Sequence, residues 1–115
     1  MTRDEAAAIA TKSLRALEAQ GLGEGLEIAP DMTLERDVGW AFFHGAGYGW
    51  GPIIVTRRGV VYVSGSAFPP ETLLEDVRVM SGATANPLRV LRYLWRRLTD
   101  GRTPKRFTPE RAHVG

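Results

Sequence analysis

Cysteine is absent from the 115 residues, which excludes a disulfide framework, a thiolate nucleophile and a cysteine-based zinc site. Histidine is scarce: His44 and His113 are the only two. The second lies in a polar, proline-punctuated C-terminal stretch, so a two-histidine metal site or a Ser-His-Asp arrangement would require that stretch to fold back. No apolar run approaches the roughly 18 residues of a membrane span. The N-terminus reads as a polar helix start and not as a basic region followed by an apolar one. The expectation is a non-enzymatic protein with no metal or cofactor and no membrane partner, not exported and resident in a reducing cytoplasm.

The length suits one domain with a small core that needs no covalent staples. The formal net charge of +2 conceals an asymmetry. Residues 1–80 carry 7 Arg/Lys against 11 Asp/Glu, a net of −4, whereas residues 81–115 carry 8 against 2, a net of +6. An acidic body suits a basic partner surface, a basic end suits phosphate or an acidic partner, and both equally suit solvated faces.

Residues 33–69 hold two of the three tryptophans and three of the four phenylalanines, so the core is expected to be built on them. Two-residue alternation sends Trp40, Phe42 and His44 to one face of a strand and Gly39, Ala41 and Phe43 to the other. Pro52 opens the β-branched run Ile53-Ile54-Val55, Arg58-Gly59 supplies the turn, and Val60 to Ser64 returns. The reading is an antiparallel meander, with Thr33–Arg36 as a backward extension of the central strand beyond a kink near Asp37–Gly39. Trp40, Phe42, Ile54, Val61 and Leu14 are expected in one apolar cluster.

The order E-R-D-V-G-W-A-F-F, a Gly-rich connection, then P-I-I-V-x-x-x-G-x-V-x-V-x-G-S and P-x-E resembles the bacterial immunity protein 35 family. The resemblance spans about Thr2 to Asp76 and is most specific at Gly39-Trp40, Phe42-Phe43 and Pro52-Ile53-Ile54-Val55. Members of that family are encoded beside polymorphic toxins and protect the producing cell. The resemblance therefore implies a protein that binds and neutralises a cognate toxin domain encoded by a neighbouring gene, by direct contact and without catalysis.

Around the meander, T-R-D-E at Thr2–Glu5 matches a capping box, Ala6, Ile9, Ala10, Ser13, Leu14 and Leu17 form a narrow apolar stripe, and Gly21 is a left-handed stop. This predicts a helix over 3–20. A short strand is expected at Leu26–Ala29, followed by a turn at Pro30-Asp31. Pro69-Pro70-Glu71 starts a short helix through Leu73, Leu74 and Val77, and Asn86-Pro87 starts a longer one. In that second helix Leu88, Leu91, Leu94, Trp95 and Leu98 make an apolar stripe, with Arg89, Arg92, Arg96 and Arg97 largely off it. The fold class is α+β: an N-terminal helix packed on a small antiparallel sheet of three to four strands, then one short and one longer helix. Residues 1–101 form the domain and 102–115 a basic, loosely held tail.

Four residues are candidates for contact with the toxin. Glu35 and Asp37 lie two apart on one side of an extended chain and suit a basic partner group, or serve as edge charges and turn caps. Gly45, Gly47, Gly49 and Gly51 lie between strands with no helix N-terminus behind them, so they are not expected to hold a nucleotide. They suit a loop displaying Tyr48 and Trp50, residue types enriched at interface hot spots, although Trp50 could equally fold back over the sheet. The arginines of the last helix suit phosphate, a solvated face, or pairing with the acidic first half of the chain. Nucleic-acid binding through that helix, and a small chaperone-like or interaction module, stand as the alternative functions.

Overall fold

The Thr2 hydroxyl accepts from the Glu5 amide at 3.2 Å while the Glu5 carboxylate accepts from the Thr2 amide at 3.0 Å, closing the capping box that starts α1, Arg3–Ala19. Two orphan amides at the helix start are thereby satisfied. The helix ends where the sequence places a glycine: Gly21 takes φ +99°. This computed structural model describes residues 1–21, 25–45, 50–65, 69–99 and 103–108.

Five strands follow in sequence order across one antiparallel sheet: β1 Leu34–Arg36, β2 Gly39–Phe42, β3 Ile53–Thr56, β4 Val61–Val63 and β5 Lys105–Phe107. Between α1 and β1, Pro30–Met32 forms a single 3-10 turn, and the expected strand at Leu26–Ala29 is reduced to one bridge, Ile28 to His44. The segment 33–36 does not extend the central strand backwards. It pairs with β2 in register Arg36 to Gly39, so Asp37-Val38 is a two-residue hairpin turn instead of a kink. Gly39 makes the close approach to β3 possible: a Cβ there would sit 2.1 Å from the Val55 carbonyl oxygen and 2.7 Å from Thr56 Cα.

The sheet is covered on both faces. On one side Trp40, Phe42, Ile53, Val55 and Val61 pack against Ala6, Ala10, Leu14 and Leu17 of α1. On the other, Ala41, Ile54 and Tyr62 pack against Leu73, Leu74 and Val77 of α2, Pro70–Met80. Every residue of β2 and β3 is buried, as expected of strands covered on both faces, which read as continuous apolar runs. This corrects the expectation for Ile54. The register pairs it with Ala41, whose side chain points away from Trp40, so Ile54 belongs to the α2 layer while Ile53 and Val55 share the α1 layer with Trp40.

α3, Pro87–Thr99, packs chiefly on α2. After it, β5 pairs with β4 in register Val61 to Phe107, so part of the segment read as a tail forms the fifth strand of the sheet. Phe107 packs against the α1 core, which gives β5 an apolar anchor.

Candidate partner-binding surfaces

Antiparallel pairing places the β1–β2 turn and the β3–β4 turn at one end of the sheet and the β2–β3 connection at the other. The first end is a cluster of mixed charge. Glu35 lies opposite Trp40, and its carboxylate accepts from the Trp40 indole Nε1 at 3.0 Å and from Arg57 Nη2 at 3.1 Å. Arg57 also lies over the Trp40 ring, 4.2 Å from its centroid, and donates to the Arg36 carbonyl at 2.7 Å. The guanidinium of Arg57 and then the indole of Trp40 hold the Glu35 carboxyl below its ordinary value.

Asp37 looks elsewhere. It lies in the turn, where strand alternation ends, and its carboxylate is paired with Arg78 of α2, which lowers it to about 2. Arg36 is paired with Glu71, also of α2. Glu35 and Asp37 are therefore both exposed, but they do not converge on a common acidic site. Each is engaged by an arginine of the same chain.

Trp50 stands at the opposite end, about 15 Å or more away by strand rise. It is 42% exposed, so part of the indole reaches solvent and part is covered. The loop base beside it is well fastened: the Gly51 amide donates to the Ser64 carbonyl at 2.8 Å, and His44 Nε2 donates to the Gly51 carbonyl at 3.0 Å. Burial pushes the His44 imidazole below its ordinary value. Tyr48 lies outside the described residues. Of the four nominated positions, the structure thus brings Glu35 and Asp37 to one end and leaves Trp50 at the other.

One surface was missed. An amphipathic helix ordinarily turns its apolar stripe to the core, and α3 does the reverse. Leu88, Leu91, Leu94, Trp95 and Leu98 are 62, 62, 43, 69 and 82% exposed. The inward face carries Tyr93, which is buried, and Arg96, whose Nε donates to the fully buried Asp76 carboxylate at 3.0 and 3.2 Å. Arg92 lies 3.5 Å from Glu75. The expectation that these arginines pair with the acidic first half of the chain is met at Asp76 and Glu75. Nothing in the stripe itself signalled its direction; the one clue was an aspartate, Asp76, at a position of α2 next to Val77.

Among the described residues no three of His, Asp and Glu come together in a way that would hold a metal ion, and no helix is long and apolar enough to cross a membrane. No family model, curated protein or solved structure matches the chain.

Proposed function

We propose that the protein is an immunity protein that binds and neutralises a cognate toxin domain in the cytoplasm by direct contact, without chemistry of its own. The observation that carries this reading is the exposure of Trp50 on the β2–β3 connection, within the stretch whose residues resemble the immunity protein 35 family. A tryptophan beside a fastened loop base loses little conformational freedom on docking and brings a large apolar surface, the usual make-up of a hot spot. Glu35 and Asp37 sit at the far end of the same sheet, within the span of an ordinary interface of about 800 Å² per partner. There they present a mixed-charge cluster in which a basic partner group shares carboxylates already held by Arg57 and Arg78.

The mode of action in this proposal is occlusion of a toxin surface. Nucleic-acid binding by α3 is the weaker reading, because Arg96 is committed to Asp76 and Arg92 approaches Glu75. The test is co-expression and pull-down with the toxin domain encoded next to the gene, alongside protection of cells from that toxin. Protection with stoichiometric co-purification supports the proposal. A protein that protects without binding, or that reverses the toxin's modification catalytically, overturns it.

A further inference from the structure

The outward face of α3 carries five of the eight large apolar side chains left exposed among the described residues. With successive residues about 100° apart around a helix, Leu88, Leu91, Leu94, Trp95 and Leu98 fall within an arc of about 120°. Arg92 borders one margin of that arc and Arg97 the other. The helix contains no Asp or Glu from Pro87 to Thr99. Its opposite side carries the buried Tyr93 and is tied to α2 by the Arg96–Asp76 pair, so the body lies behind the helix and the apolar face points away from it.

We propose that α3 is an interfacial docking helix for an anionic lipid surface. A basic helix with leucines and a tryptophan on one face and little net hydrophobicity lies flat at the boundary between headgroups and acyl chains, and its binding depends on both the apolar area and the anionic charge of the lipid. Thirteen residues make a helix about 20 Å long, too short to span a bilayer and suited to lying on one. Arg97 is placed to meet lipid phosphates while its stem remains beside the leucines, whereas Arg92 is already paired with Glu75.

Charge argues against a second copy of the chain as the occupant. Two α3 helices laid face to face would bring together arginines from both sides with no acidic residue on either helix to answer them. The lipid reading is separate from the toxin reading, since it uses neither Trp50 nor the β1–β2 turn.

The test uses the full chain with two vesicle preparations, phosphatidylcholine alone and phosphatidylcholine with about 30 mol % phosphatidylglycerol, read by co-sedimentation and by the tryptophan emission maximum. The expected result is binding to the anionic vesicles only, with a blue shift lost in Trp95→Ala. Binding should weaken steadily between about 50 and about 300 mM NaCl. Leu91→Asn with Leu98→Asn should lower the partition coefficient by about tenfold or more while circular dichroism and the melting temperature stay unchanged, because both side chains are already exposed. Arg97→Glu should weaken binding to the anionic vesicles, and Trp50→Ala should leave it intact.

Absence of binding to the anionic vesicles overturns the proposal. If the same chain is then a dimer by light scattering and the double asparagine variant a monomer, the occupant is a second copy. If it is a monomer, the occupant is neither an anionic lipid surface nor a second copy. Equal binding to both vesicle types would also overturn the proposal, since the arginines would then play no part.

Discussion

Arg96 of α3 meets Asp76 of α2 where the carboxylate has no exposed surface, with Nε 3.0 and 3.2 Å from its two oxygens. An ion pair, and not a leucine ridge, is thus what points α3's arginine face inward and its leucines outward. The arrangement is costly to break from one side. Removing only one partner of a buried pair leaves an uncompensated charge, whereas replacing both with apolar residues is often tolerated.

Arg96→Ala is therefore expected to lower stability by about 3–5 kcal/mol in urea unfolding. The double replacement Asp76→Leu with Arg96→Met should recover most of that loss. If Arg96→Ala unfolds at the parent's midpoint, the pair does not hold α3.

The acid limb of stability should depend on Asp37. Pairing with Arg78 lowers its folded-state value to about 2 from 3.8, so its contribution is complete above the unfolded value and is lost as pH falls from about 4 towards 2. Asp37→Asn should be less stable than the parent near about pH 6, with the difference closing as pH falls towards 2 and shrinking in salt because the Asp37 carboxylate is exposed. Asp76 works in the opposite sense. Burial raises its folded value against the pull of Arg96, so its contribution declines as pH rises through the carboxylate range. A larger gap between Asp37→Asn and the parent at low pH than at neutral pH would contradict the assignment.

Gly39 and Gly45 provide a matched pair. A Cβ on Gly39 collides with backbone of β3 on a central strand, while one on Gly45 meets nothing within 4 Å. Gly39→Ala is expected to cost several kcal/mol, about as much as truncating a large core side chain, and Gly45→Ala to fall within about 0.5 kcal/mol of the parent. Thermal melts of the two variants are enough to check this.

For the proposed toxin complex, Trp50→Ala should raise the dissociation rate, with about 2 kcal/mol or more of affinity lost if the side chain is an anchor. Glu35→Gln and Asp37→Asn should act mainly on the association rate and its salt dependence. Charge reversal at Glu35 is a poorer probe, since a cation there would face Arg57 beside the Trp40 indole. Surface plasmon resonance separates the two rates, and an unchanged dissociation rate for Trp50→Ala would remove it from the interface.

Local chemistry alone was enough for the three helices and for the existence of the β3–β4 hairpin. The capping box and Gly21 delimit α1 to within a residue of its observed end. Pro70 and Pro87 open α2 and α3 at their first turns, and the β3–β4 turn expected at Arg58-Gly59 forms one residue earlier, at Arg57-Arg58, with Gly59 at φ +82°. These signals act over a few residues, where backbone sterics and nearby side chains decide. Three features were decided only by tertiary structure. Ile53, Ile54 and Val55 are equivalent in composition, and a one-residue choice of register sends Ile54 to α2 instead of α1. Lys105–Phe107 has little strand character of its own and becomes one because β4 offers an unpaired edge and the core accepts Phe107. The stripe of α3 specifies an apolar face without saying what it faces; a buried carboxylate on a neighbouring helix needed a cation, and that need set the helix's rotation.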